Sequence, residues 1–377
     1  MSLHIIVGMQ WGDESKGVTS DRLCHETKAD YVVRWNGGPN AGHTLYVGDD
    51  PTTSQKVVLR QLPSCTFPGV LKYIIGPGCA LNMITLSEDV KALEALGLEI
   101  RGKVLVDHRC PIITPEHRMR DEAENGHIKT TGRGVGPCYS DFTARSASRA
   151  CDHRTELESY GVQVCDVTKW ILENVDPFND EVVAEGAQSH WLDLIHGSYP
   201  YVTSCQTVAP SFFSTLGLGA WLRDGVMEDA EIVGVAKIYE TKVGNGPFIS
   251  EIADSDALNE FRTIAGEFGS NTGRPRRIGY FNLDALLEAV EVNGINSLVL
   301  AKADLADAFE THLGALCVIY KNELIELDEH DPVRDLFEVI AEVCPDVYRF
   351  RVSASPYLDG SADVTEMLVE PYDPFLA

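Results

Sequence analysis

No apolar run in this chain approaches the roughly 18–20 residues needed to cross a bilayer, so no membrane span is expected. Its ten cysteines stand singly, with no C-x-x-C pair. That spacing argues against a structural zinc site or a disulfide framework, and for reduced thiols in a cytoplasmic setting. The start, Met1-Ser2-Leu3-His4, lacks a basic n-region, so no signal peptide is expected. Positive charge is scarce: 31 Lys and Arg against 57 Asp and Glu give a net charge of −26. Tracking a nucleic-acid backbone needs a basic footprint, so neither DNA nor RNA is an expected partner. The first strand is not followed by the G-x-G-x-x-G of a dinucleotide fold, which disfavours a dehydrogenase, nor does the common P-loop pattern G-x-x-x-x-G-K-[ST] match. No linker, low-complexity run or internal repeat divides the 377 residues, which favours a single domain over 1–377, with subdomains.

What is present is a series of glycine-punctuated loops between strands and helices. Ile5-Ile6-Val7-Gly8 reads as a buried strand, and Gln10-Trp11-Gly12-Asp13-Glu14-Ser15-Lys16-Gly17 as the loop it feeds, with a helix following through Ser20, Leu23 and His25. Such a loop offers backbone N–H groups and an ammonium to phosphates. An Asp beside that Lys can hold a metal ion or take a proton. Tyr31 to Arg34 reads as a strand opening into Asn36-Gly37-Gly38-Pro39-Asn40-Ala41-Gly42-His43-Thr44, whose backbone can approach a ligand closely. His43 at its end is an acid/base candidate. Strands are expected at 56–62, 71–75, 103–107, 182–185, 232–238 and 297–301, and helices at 86–97, 150–176, 282–292 and 331–343. Strands alternating with helices predict an α/β fold: a mostly parallel central sheet flanked by helices, with ligand loops at the carboxyl ends of strands. Further loops are Thr130-Thr131-Gly132-Arg133-Gly134-Val135-Gly136-Pro137 and the side-chain-rich run from Asp193 to Ser204. Arg274, Arg276 and Arg277 suit carboxylates or phosphates, or alternatively pair with acids inside the protein. Lys302-Ala303-Asp304 can lay an aliphatic stem along a purine and a carboxylate against ring N–H donors.

Together these loops closely resemble the adenylosuccinate synthetase family over nearly the whole chain. The resemblance rests on Gly12-Asp13-Glu14…Lys16-Gly17, Gly37 to Thr44, Thr130 to Pro137, Glu185-Gly186-Ala187-Gln188, His196-Gly197…Tyr199 to Ser204, and Thr272-Gly273-Arg274-Pro275-Arg276-Arg277, in the family's order. It implies a C–N forming ligase that uses a purine nucleoside monophosphate, L-aspartate and a nucleoside triphosphate with Mg²⁺. A 6-oxopurine carbonyl is a poor electrophile, so its oxygen must first become a leaving group. By resemblance Asp13 removes the N1 proton and, with the Gly42 carbonyl, binds the metal. His43 stabilises the oxygen that attacks the γ-phosphate, and Lys16 handles developing charge. Asn40, Thr131, Gln188 and Thr203 hold the monophosphate, and Arg145 reaches its phosphate across a homodimer interface. Thr272, Arg274 and Arg276 take the amino acid. Gly12, Gly17, Gly42, Thr44, Lys302 and Asp304 take the triphosphate.

The chain departs from the family pattern at several places. Ser15 stands where the loop has glycine, and Val18 where it has lysine. Ser189 replaces a glycine, Ile195 an aspartate, Cys205-Gln206 a Ser-Asn pair and Asn271 a threonine. Ser353-Ala354-Ser355-Pro356 and the insertion after it alter the segment that helps hold the triphosphate's base, leaving ATP, dATP and GTP open as donors. With Asp13 at N1, residue 15 falls near the purine C2 edge, where a hydroxyl can accept a hydrogen bond from a 2-amino group. This looks like the phage branch of the family, which converts dGMP to 2-aminoadenylosuccinate for diaminopurine DNA. The alternatives are an ordinary IMP- and GTP-using enzyme and a non-catalytic nucleotide-binding module. Retention of Asp13, Lys16, His43, Arg274 and Arg276 counts against the last.

Overall fold

The computed structural model describes residues 3–47, 54–124, 128–269, 273–328, 330–353 and 366–367. Thr272, Asn271 and the segment from Ala354 onward fall outside these, apart from the backbone of 366–367.

A ten-stranded sheet runs through the molecule. In chain order its strands are β1 (Leu3–Gly8), β2 (Tyr31–Gly37), β3 (Lys72–Cys79), β4 (Val104–Asp107), β5 (Val162–Cys165), β6 (Val182–Ser189), β7 (Glu231–Lys237), β8 (Ser297–Ala301), β9 (Arg349–Ser353) and β10 (Glu366–Met367). The spatial order is β10-β9-β8-β7-β1-β6-β2-β3-β4-β5. Every pairing is parallel except β9 with β10. β1 is therefore central, and all six of its residues are buried. Leu3, Ile5 and Val7 join one apolar cluster and Ile6 the other, so the strand is apolar on both faces, as a covered parallel sheet requires.

Several helices begin where short polar side chains cap them. Asn82 accepts from the Thr85 N–H at 3.0 Å to start α2 (Met83–Ala95), and Asn282 and Asp331 do the same for helices Leu283–Asn293 and Pro332–Val343. α1 (Lys16–Thr27) differs: Ser15 at its start is left-handed and makes no side-chain cap.

Some expectations need correction. Residues 150–176 are not one helix. A short 3₁₀ turn and helix lead into β5, the sheet's edge, before helix Val167–Asn174. Four residues with Val162 and Val164 buried and Gln163 exposed between them give too short an alternation to stand out against helical flanks. The loop at Thr130–Pro137 ends early, because helix α4 (Val135–Thr143) starts inside it after left-handed Gly134, packed on α3 (Pro115–Glu124). β2, β3 and β6 run three or four residues further than their apolar cores, carrying Asn36, Gly78 and Gln188 toward the ligand side.

Candidate active site

The loops that leave β1, β2, β6 and β8 and the end of β9 meet over the carboxyl edge of the sheet around a cavity of about 530 Å³. Asp13, Ser15, Lys16, Gly12 and Gly17 line it from the first loop; Asn40, Gly42, His43 and Thr44 from the second. Thr131, Gln188 and Thr203 lie on another wall, and Arg276, Lys302 and Asp304 on the side near β8. Among the described residues singled out by sequence, Arg145, Arg274 and Arg277 do not line it; Arg277 pairs instead with Glu251. Arg145 is exposed just past the end of α4, and Arg274 is exposed with its guanidinium donating to the Lys129 carbonyl at 3.3 Å.

The first loop is held in an unusual backbone shape. Gly12, Asp13 and Ser15 all have left-handed φ, of 96°, 63° and 71°. Glycine adopts this freely; a residue with a Cβ pays about 1–2 kcal/mol. Glu14 anchors the loop from below and is fully buried. Its carboxylate accepts from the Gly12 N–H (2.7 Å), Lys16 Nζ (2.6 Å) and Ser189 Oγ (2.7 Å). Burial alone would raise the Glu14 carboxyl, but Lys16 and these donors outweigh it and hold it below its usual range.

His43 stands on an equally buried acid. Its Nδ1 lies 2.5 Å from Glu185 Oε1, so Nε2 is the nitrogen left for a ligand. Glu185 Oε2 also accepts from Arg34 Nη2 (3.0 Å) and the Ser64 N–H (2.9 Å). Burial would raise the Glu185 carboxyl, yet His43 and Arg34 bring it down to about 2. The Arg34 and Ser64 contacts act whatever the charge on the imidazole. Burial, together with the nearby Arg34 guanidinium, holds His43 below its usual range against the pull of Glu185.

Arg276 joins two acids. Nη1 donates to Glu267 Oε2 at 2.5 Å, while Nε lies 2.9 Å from Asp13 Oδ2 without hydrogen-bond alignment. Glu267 also accepts from Tyr239 Oη (2.7 Å) and Lys237 Nζ (3.1 Å). Burial would raise its carboxyl, but Lys237, Arg276 and Lys302 outweigh that and lower it to about 2. Sequence reading singled out Arg276 but not Glu267, Lys237 or Arg34, nor Glu185 as the acid behind His43. Their partners lie 9 to 151 positions away, and only the glycine-flanked Glu185-Gly186 hinted at a role. Lys242 was also missed: it lines the cavity with Nζ 3.4 Å from the Trp11 ring centroid, and burial followed by Arg277 lowers it to about 8.

Asp13 and Gly42 line the same cavity, and a carboxylate with a backbone carbonyl is a donor set that suits Mg²⁺. A second grouping, Asp107, His108 and Asp166, does not: Arg109 already bridges its two carboxylates at 2.7 and 3.2 Å.

The adenylosuccinate synthetase family profile matches residues 5–160 and 154–347. This chain belongs to the adenylosuccinate synthetase family. The synthetase of Colwellia psychrerythraea is 35% identical over 362 residues, covering 85% of this chain and 80% of its own length. That of Glaesserella parasuis is 34% identical over 372 residues, covering 87% and 82%. Among solved structures, the fully ligated adenylosuccinate synthetase of Plasmodium falciparum superposes with a TM-score of 0.76 at 24% identity, over 95% of this chain and 99% of that one. Cyanophage S-2L succinoaminodeoxyadenylate synthetase, bound to dGMP and to dATP as an energy donor, superposes with a TM-score of 0.69 at 22% identity, over 90% and 99%. The two structures share the fold. The chain is accordingly a C–N ligase that joins aspartate to a purine nucleotide. Among the described residues no helix is long and apolar enough to cross a membrane, and all ten cysteines are free thiols.

Proposed function

We propose that this ligase joins L-aspartate to C6 of dGMP, giving 2-amino-2′-deoxyadenylosuccinate. The observation that carries the reading is Ser15. It lines the cavity two residues from Asp13, in a left-handed conformation (φ 71°) that glycine would adopt at no cost. A hydroxyl kept at an energetic penalty there fits a 2-amino group on the purine edge next to N1. The cyanophage structure with dGMP offers a precedent on the same fold. A second reading, IMP with GTP, is favoured by the synthetases at 34–35% identity and by Asp304, whose carboxylate in the cavity can accept from guanine N–H donors.

In either reading Asp13 takes the N1 proton, so the negative charge moves onto O6. His43 donates from Nε2–H to O6, and because Nδ1–H donates to Glu185 the reacting ring is an imidazolium, whose charge the Glu185 carboxylate stabilises. O6 attacks the γ-phosphorus and the nucleoside diphosphate leaves. The aspartate amine then adds at C6, and phosphate departs with the former O6. Asp13 and the Gly42 carbonyl would hold Mg²⁺, which supplies charge neutralisation at the phosphates. Arg276 receives an amino-acid carboxylate, and Lys302 and Asp304 face the triphosphate's base. The test is phosphate release with aspartate and Mg²⁺, crossing dGMP, GMP and IMP against ATP and GTP. Preference for dGMP is expected; efficient use of IMP with dGMP ignored would overturn the reading.

A further inference from the structure

Glu14, Lys16 and Ser189 bring three polar tips into one buried space, and Gly8 makes that space. A Cβ on Gly8 would lie 2.0 Å from Ser189 Oγ, 2.6 Å from Glu14 Oε2 and 2.7 Å from Lys16 Nζ. Ser189 arrives there because Gln188 is left-handed (φ 61°) and the β1–β6 register shifts at this point. Its hydroxyl donates to Glu14 Oε2 at 2.7 Å and accepts from Lys16 Nζ at 3.1 Å. Its carbonyl accepts from Thr207 Oγ1 at 2.8 Å, which fixes the residue from the other side.

Lys16 is the one lysine between residues 9 and 18. It lines the cavity, yet its ammonium sits 2.6 Å from a buried carboxylate that neutralises it. Serving an anionic ligand requires Nζ to leave Glu14, and a buried carboxylate stripped of its cation is costly unless other donors hold it. Two donors stay behind: the Gly12 N–H and the Ser189 hydroxyl.

We propose that Ser189 is a positioning residue that steadies the Glu14 carboxylate so that Lys16 can turn from it to the triphosphate. The proposal rests on the functional reading only in naming a triphosphate as the ligand. Without the hydroxyl, Glu14 keeps one neutral donor, and Lys16 stays clamped to it.

The test is equilibrium calorimetry with Mg²⁺–GTP, Mg²⁺–ATP and inorganic tripolyphosphate, set against dGMP and IMP. Ser189→Ala should weaken triphosphate binding about tenfold, the scale of one hydrogen bond to a charged group. It should leave monophosphate binding within about twofold, and have no further effect in a Glu14→Gln background. Glu14→Gln alone should tighten triphosphate binding, which keeps the idea testable if Ser189→Ala does not fold. Equal weakening of both ligand classes, no weakening, additive loss in the Glu14→Gln background, or looser triphosphate binding by Glu14→Gln overturns it. Binding is read without turnover. A chain that shows the predicted pattern but forms no product refutes the ligase chemistry alone; a chain that binds no triphosphate refutes both.

Discussion

At the scale of single residues, the site is a set of ligand-facing groups each standing on a buried acid: Lys16 on Glu14, His43 on Glu185, Arg276 on Glu267. The ligand-facing members were legible in sequence because they sit in glycine-rich loops. The partners were not, since contacts such as Arg34–Glu185 close only when strands far apart in the chain pair side by side. Glu185→Gln should therefore do two things. It should cost about 3–5 kcal/mol in urea unfolding, because the Arg34 guanidinium is left buried without its counter-charge. It should also lower kcat by at least about a hundredfold if the acid holds the imidazole for chemistry. Unchanged kcat in the folded variant would reduce Glu185 to a structural acid. Ser15→Gly should relieve the left-handed strain and raise the Tm, while shifting the dGMP-to-IMP ratio of kcat/KM toward IMP by about 0.5–1.5 kcal/mol, one hydrogen bond's worth. A ratio that does not move would remove Ser15 from substrate choice.

At the scale of elements, the contact of α1 with the hairpin formed by His43–Val47 and Gln55–Leu59 sets where the imidazole stands. Gly17, in the first turn of α1, faces His43 directly: a Cβ there would lie 2.7 Å from His43 Cβ and 3.0 Å from Ser64 Oγ. Gly17→Ala should push the hairpin outward and lower kcat more than tenfold, with far-UV circular dichroism unchanged. Retained turnover would mean that the hairpin yields without cost. The long apolar strands and capped helices were readable from composition and caps. β5 was not, because a four-residue edge strand has almost no period of its own. The start of α4 inside a glycine-rich run was hidden as well. Its geometry depends on Asp121, whose carboxylate takes the Gly134 N–H and the Thr130 hydroxyl, both at 2.7 Å.

At the scale of the whole molecule, buried acids of two kinds shape the response to pH. Glu185 and Glu267 titrate near 2 when folded, against an unfolded value near 4.5. The stability they contribute is present above about pH 4.5 and is lost as pH falls toward 2. Glu240 has the opposite sign. Burial pushes it up to about 8, with the Ser250 hydroxyl 2.5 Å away and donating. It favours the fold below about pH 4.5, and that contribution drains away as pH rises toward 8. Glu240→Gln should accordingly raise the Tm at pH 8 and leave it nearly unchanged at pH 5; equal shifts at both would place Glu240 outside the titration. Arg145 is exposed and does not line the cavity of its own chain, so the proposed contact with the monophosphate would be made at the site of another copy. Mixing Arg145→Ala with Asp13→Asn chains, each inactive alone, should restore part of the turnover, and no recovery would argue against a shared site. The strand order carries a last consequence, for biosynthesis. β1 leaves the ribosome before every other strand of the sheet, but its two neighbours begin at residues 182 and 231. Until residue 182 has emerged this strand, apolar on both faces, has neither edge paired, and one edge stays open until residue 231. A nascent chain halted before β7 should thus be sticky and protease-sensitive, and rely on chaperones, until the centre of the sheet closes.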